Sequence, residues 1–316
     1  MGSARSGTTL LGSLIGNAPC TADYRAEPLL LSGCDRCYGP LSHPASKTRF
    51  LTDWLRSRQF RRSGLSEKTA TSLVDEASSY PQLLRDFMDC VTVSQSRTHW
   101  IDSTPSNVYA LPTLAEHFPS AKIINIVRDG RAVSASLRKL GWTAVAARSE
   151  IAALQYSALK WESSVLAFRS NRHLLPGPVF ETSYEALVTT PDNVLPALWR
   201  YLEFDDYEIP DPSDADHSKT KVASNSAFGE VHNGLSTAPL MRWRQQLSEK
   251  EIGAIEGLVG RTLKDQNYEL STEAGKRASP NFAGAIRRGI FRSRELAKRI
   301  VPIRSLFSSP LEIGLE

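Results

Sequence analysis

The chain of 316 residues carries only four cysteines, Cys20, Cys34, Cys37 and Cys90. So few thiols cannot staple a protein of this length, which implies a reducing compartment and a core held by packing. No apolar run is long enough to span a bilayer. No basic-then-apolar leader opens the chain either, because the apolar residues after the first loop are interrupted by Gly12 and Ser13. The expected compartment is the cytoplasm. Metal chemistry lacks its usual marks: His43, His99, His117, His173, His217 and His232 are scattered, and Cys34-x-x-Cys37 has no second pair at ligand spacing. A net basic surplus is also missing from most of the chain. Of the net +4, residues 276–316 supply a surplus of six, with nine Lys or Arg against three Glu, so the remainder is about minus two. With no zinc-finger or recognition-helix pattern, nucleic acid is not an expected partner.

What is present begins at once. Gly2-Ser3-Ala4-Arg5-Ser6-Gly7-Thr8-Thr9 runs into the helical stretch Leu10-Leu11-Gly12-Ser13-Leu14-Ile15. Spaced glycines let backbone N–H groups converge, and the helix N-terminus adds its positive dipole end, so the junction is suited to an anion. A nucleotide-triphosphate loop would place Lys after the second Gly; here Thr8 follows Gly7 and the cation, Arg5, lies inside the loop. That shift argues against an ordinary ATPase. Such a loop normally hangs from a buried strand, yet only Met1 precedes Gly2. Loss of a central strand would remove ladder hydrogen bonds and core area, which favours a start upstream over a sheet that forms without it.

Helical patterns follow at Phe50–Arg62, Glu67–Ser78 and Gln82–Gln95, read as mostly surface or lid-like. His99-Trp100-Ile101-Asp102 reads as a short strand, Asn107–Phe118 as a helix, and Lys122–Val127 as a buried strand rich in β-branched residues. Gly130–Leu140 is helical. A long helix over Ser149–Arg169 places Ile151, Leu154, Ala158, Trp161, Val165 and Phe168 on one face. Val179-Phe180-Glu181 is a strand candidate and Pro191–Phe204 a helix. Strands alternating with helices around a phosphate loop predict an α/β fold of the P-loop-containing, three-layer α/β/α kind, with a mostly parallel central sheet lacking its first strand.

In phosphate-loop nucleoside triphosphatases the second anchor is an apolar strand ending in a metal-binding Asp. Here the strand ends in Arg128, and Ser136 follows eight residues later, about two turns into the next helix. A cation and a hydroxyl at that point fit a second phosphate.

These paired motifs resemble the sulfotransferases that use 3′-phosphoadenosine 5′-phosphosulfate (PAPS). Arg5-Ser6-Gly7-Thr8-Thr9-Leu10-Leu11 resembles the family's 5′-phosphosulfate loop. Val127-Arg128-Asp129-Gly130-Arg131-Ala132-Val133 with Ser136 resembles its 3′-phosphate motif. Tyr184-Glu185-Ala186-Leu187-Val188 before Pro191 resembles the segment whose Tyr helps hold the cofactor, and Arg242-Trp243-Arg244 with Tyr268 resembles the C-terminal region. The resemblance spans about Gly2 to Leu270 and is specific through its pairing.

It implies that Arg5, Ser6, Gly7, Thr8, Thr9, Arg128, Ser136 and Tyr184 bind PAPS as co-substrate with no metal. Arg5 and the loop amides would stabilise the leaving phosphate. The stretch Tyr24-Arg25-Ala26-Glu27-Pro28-Leu29 resembles the base region of the carbohydrate and protein-tyrosine enzymes, which implies Glu27 as base. Small-molecule sulfotransferases use a Lys-Thr-His segment instead; the corresponding Ile101-Asp102-Ser103-Thr104-Pro105 has neither Lys nor His. Arg5 then acts alone on the leaving group, or an outside cation such as Lys47 reaches in, or activity is reduced. Trp243 shields the adenosine end or anchors the last helix, and Ser226 and Arg242 are candidates for closing over the 3′-phosphate. The acceptor would be a hydroxyl of a carbohydrate, tyrosine, lipid or small metabolite. The alternatives are a phosphate-loop kinase and a non-catalytic nucleotide-phosphate binding protein.

The expected organisation is one domain over residues 1–272 and a basic tail over 273–316. Within the tail, Ile286, Ile290, Ala297 and Val301 share one helical face with six basic residues around them. That pattern suits either peripheral contact with an anionic membrane or a solvated extension.

Overall fold

The computed structural model describes residues 1–31, 33–141, 149–204, 235–273, 284, 286–293 and 311. In chain order the elements are α1 (Thr8–Gly16), α2 (Cys34–Tyr38), α3 (Pro44–Leu55), α4 (Arg58–Ser63), α5 (Glu67–Glu76), α6 (Tyr80–Ser94) and, after a 3₁₀ turn at Pro105–Ala110, α7 (Leu111–His117). Then come β1 (Ile123–Val127), α8 (Gly130–Lys139), α9 (Glu150–Asn171), β2 (Val179–Ser183), α10 (Tyr184–Thr189), α11 (Pro191–Leu202), α12 (Arg242–Gln246) and α13 (Glu249–Asp265).

The fold is α/β with a parallel sheet. β1 pairs with β2 in register, Ile123 opposite Val179 through Val127 opposite Ser183. On the other edge of β1, the Met1 amine donates to the Ile124 carbonyl at 2.7 Å and the Ile126 N–H donates to the Met1 carbonyl at 3.0 Å. That alternation is a rung of a parallel ladder. Beyond it lies a cleft of about 800 Å³ between the β1 edge and residues 98–103, with Gly12 and Ile15 of α1 also lining it.

This cleft explains one departure from the sequence pattern. Residues 99–102 do not form a strand: His99 makes one parallel bridge, to Thr21, and the segment faces the cleft on its other side, where no ladder partner stands among the described residues. A second departure concerns residues 44–94. They are not lid-like but build a core of their own around Phe50, Trp54, Leu83, Phe87 and Met88, all fully buried. Edge-to-face and stacked rings lock it, Phe50 lying 5.4 Å from Trp54 and Trp54 5.1 Å from Phe87. The predicted helix over Phe50–Arg62 is split because Ser57 caps a new helix, its Oγ accepting from the Phe60 N–H at 3.1 Å.

A second core joins α8, α9 and α13 through Val133, Leu154, Ala158, Trp161, Ile255 and Val259. Of the six residues predicted for one face of α9, five are buried and Ile151 is half-buried. A third packs α1, α10 and α11 against β1, through Leu11, Ile15, Ile126, Leu187 and Leu198. β1 therefore emerges between the helices that carry the loop and the Arg128 turn.

Candidate functional site: the loop and the Arg128 turn

Two left-handed residues shape the loop. Arg5 sits at φ 70°, a left-handed conformation that a residue with a Cβ adopts rarely, and Gly7 follows at φ 98°. Glycine is required at position 7 for a further reason: a Cβ there would lie 2.6 Å from the Tyr184 ring. The Leu11 N–H donates to the Gly7 carbonyl at 3.0 Å, and Gly7, the N-cap residue, supplies no side-chain cap to α1. The N–H groups of its first turn are thus left pointing out of the helix end, with the dipole behind them. Thr8 is buried and Thr9 half-buried at this end.

The turn after β1 closes over the loop. Arg5 Nε donates to Ser136 Oγ at 2.9 Å, joining residues 131 positions apart. Arg128 Nη1 donates to the Arg5 carbonyl at 3.2 Å and Nη2 to the Pro239 carbonyl at 3.3 Å. Its guanidinium carbon stands 4.0 Å from the centre of the Tyr184 ring, a cation–π contact. Arg128 Nε is buried and has no hydrogen-bond partner among the described residues. The Ser6 hydroxyl, fully buried, has none either.

Behind this surface the turn is braced. Asp129 caps α8, accepting the Arg131 N–H at 2.8 Å. Arg131 is buried and tied to Asp129 at 2.7 Å and to Glu256 at 2.5 Å, with its guanidinium 4.4 Å from the Trp243 ring. Burial opposes charge on the Glu256 carboxyl, but hydrogen bonds from Ser271 and Thr272 outweigh it and hold the group below the usual carboxylate range. Gly130 allows the closest approach of α9, since a Cβ there would sit 2.7 Å from the Trp161 ring. Trp161 Nε1 donates to the Arg128 carbonyl at 2.9 Å.

Sequence reasoning passed over Glu185. Its Oε1 accepts the Asp129 N–H at 3.1 Å, and its Oε2 accepts the Tyr268 hydroxyl at 2.9 Å. Burial and that carboxylate push the Tyr268 phenol well up. The only signal was adjacency to Tyr184.

Of the predicted residues, Arg5, Gly7, Arg128, Ser136 and Tyr184 are joined by direct contacts. Ser6, Thr8 and Thr9 share the loop. Glu27 lies half-buried on the coil between α1 and α2, beyond the Thr21–His99 bridge. Lys47 does not reach in, because its ammonium donates to the Asp75 carbonyl at the end of α5. Trp243 is 3% exposed between Arg131 and Arg244, which makes it an anchor of α12. Arg242 opens the same helix, half-buried. Ser226, like His217 and His232, lies outside the described residues. Cys34 is a buried free thiol donating to the Leu29 carbonyl, and burial pushes its pKa up, the reverse of a redox or metal-binding cysteine. Among the described residues no group of three or more His, Cys, Asp or Glu is arranged to hold a metal ion. No helix among them is long and apolar enough to cross a membrane.

A parallel α/β fold with an uncapped loop–helix junction beside two cations describes a class: proteins suited to phosphate-like anions. The chain belongs to the sulfotransferase family, whose model matches residues 1–208. Two solved structures are similar. The sulfotransferase domain from the curacin biosynthetic pathway has 17% identity, covering 85% of this chain and 96% of that one at a TM-score of 0.56. The sulfotransferase domain from the Synechococcus PCC 7002 olefin synthase has 20% identity, covering 85% and 94% at a TM-score of 0.51. At these identities the likeness is one of fold. No curated protein gives a significant match.

Proposed function

We propose that this sulfotransferase moves the sulfuryl group of PAPS to a hydroxyl acceptor by in-line displacement. The observation that carries the reading is the Arg5–Ser136 hydrogen bond with Arg128 on the Arg5 carbonyl, which makes the two phosphate motifs one surface. The orphaned Arg128 Nε and the uncapped first turn of α1 are donors of the kind a doubly phosphorylated nucleotide requires. Asp129 is unsuited to a metal-binding role, because its carboxylate already accepts from Arg131 Nε and Nη2. That weakens the kinase alternative.

In this mechanism the acceptor oxygen bonds to sulfur while the sulfur–oxygen bond to the 5′-phosphate breaks. The bridging oxygen leaves with the electron pair, giving adenosine 3′,5′-bisphosphate. Arg5 and the first-turn amides of α1 stabilise the charge that builds on that phosphate, and Thr8 and Thr9 hold it. Arg128 and Ser136 take the 3′-phosphate, and the Tyr184 ring fixes the aim of Arg128. Glu27 accepts the acceptor's proton.

Transfer of labelled sulfate from PAPS across a panel of carbohydrate, tyrosine, lipid and small alcohol acceptors tests the reading. Activity that falls about 10²–10⁴-fold in Glu27→Gln is expected for a general base. An unchanged variant rate removes Glu27 from that role. Binding of magnesium ATP without binding of adenosine 3′,5′-bisphosphate overturns the sulfotransfer reading in favour of a kinase.

A further inference from the structure

The segment over 286–293 is helical and packs against the second core by one face only. Phe291 is 7% exposed and meets Tyr156 of α9 edge-on at 5.4 Å. Arg288 pairs with Glu162 of α9 at 3.1 Å and also donates to the Leu258 carbonyl of α13. At about 100° per residue, Ile286 and Ile290 fall on the side of the helix away from Phe291 and Arg288. They are 46% and 52% exposed. Arg287 and Arg292, also exposed, occupy one flank each between the two faces.

We propose that this outward ridge docks the protein on an anionic lipid surface. Charge complementarity identifies the occupant. Residues 274–294 contain six Lys or Arg and no acid, in a chain whose other residues carry a slight negative excess. A ridge two isoleucines long is far smaller than the roughly 800 Å² per partner that a specific protein interface buries. A lipid interface needs no such matched surface: the apolar ridge enters the headgroup boundary while arginines reach phosphates from either flank. The helix is anchored at its back by Phe291 and Arg288, so docking demands no refolding of the core. None of its described contacts involves Arg5, Arg128, Ser136 or Tyr184, which keeps docking separable from the proposed donor site. The inference stands whether or not PAPS is the donor.

The test is co-sedimentation of the full chain with phosphatidylcholine vesicles, with and without phosphatidylglycerol, at low and high salt. The expected result is pelleting with the anionic vesicles only, weakened by salt. Loss of about tenfold or more in binding is expected for Ile286→Ser with Ile290→Ser, and again for Arg287→Gln with Arg292→Gln. Melting temperature should be unchanged in both pairs. Absence of pelleting with anionic vesicles, or pelleting that neither pair of substitutions reduces, overturns the proposal. So does concentration-dependent self-association abolished by the isoleucine changes without vesicle binding, which would make the ridge a contact between copies.

Discussion

The two arginines of the turn after β1 stand three residues apart and have opposite surroundings. Arg131 is buried, with carboxylates from Asp129 and Glu256 and the Trp243 ring against it. Arg128 is half-buried and has two carbonyls, an aromatic face and an orphaned Nε; among the described residues no carboxylate pairs with it. Opposite charges already satisfied make a cation structural. A cation given only neutral partners keeps its electrostatic capacity for something that arrives from outside. Arg131 ties α8 to α13 and so braces the turn; in the proposed function Arg128, on the same turn, is the residue that meets the anion.

That contrast breaks most visibly at Arg131. Arg131→Met leaves two buried carboxylates without their cation and should destabilise the fold by about 3–5 kcal/mol, read by urea unfolding. Next in size is the loop. Gly7→Val forces a branched side chain into a left-handed backbone and against the Tyr184 ring, at about 1–3 kcal/mol of strain, and should weaken adenosine 3′,5′-bisphosphate binding in calorimetry. The Arg131 side also predicts a pH dependence. The Glu256 carboxyl is held below its unfolded value, so its contribution is full above the ordinary carboxylate range and is lost as pH falls through its lowered folded value. Denaturant midpoints measured against pH should show that acid-side loss in the wild type and a flatter curve in Glu256→Gln. The smallest effect is at Ser136. Ser136→Ala removes one hydroxyl from Arg5 and should weaken bisphosphate binding by about tenfold or less, at unchanged melting temperature.

Much of this was legible in the sequence because the decisive features are local. Gly7 before Thr8 announces an uncapped helix, and the β-branched run Ile123–Val127 announces a buried strand. Ser248 and Glu251 mark the start of α13, where the capping box is complete. What stayed hidden depends on distance along the chain. Nothing near Arg131 reveals that Glu256, 125 positions on, neutralises it, so both arginines of the motif look equally available. Nothing near His99 shows that the residues after it face a cleft instead of a neighbouring strand. The aromatic residues of α3 and α6 alternate with charges and read as surface, until Tyr80 and Phe87 meet Phe50 and Trp54 across the helices.

The most direct measurement is a paired calorimetric titration of adenosine 3′,5′-bisphosphate into the wild type and Arg128→Met, with a thermal melt of each. Loss of one or two charge-assisted hydrogen bonds, about 2–3 kcal/mol, should weaken binding by about 30- to 150-fold at nearly unchanged melting temperature. Wild-type affinity retained in Arg128→Met, or loss of binding only in step with unfolding, would contradict the assignment of Arg128 to the anion and Arg131 to the fold.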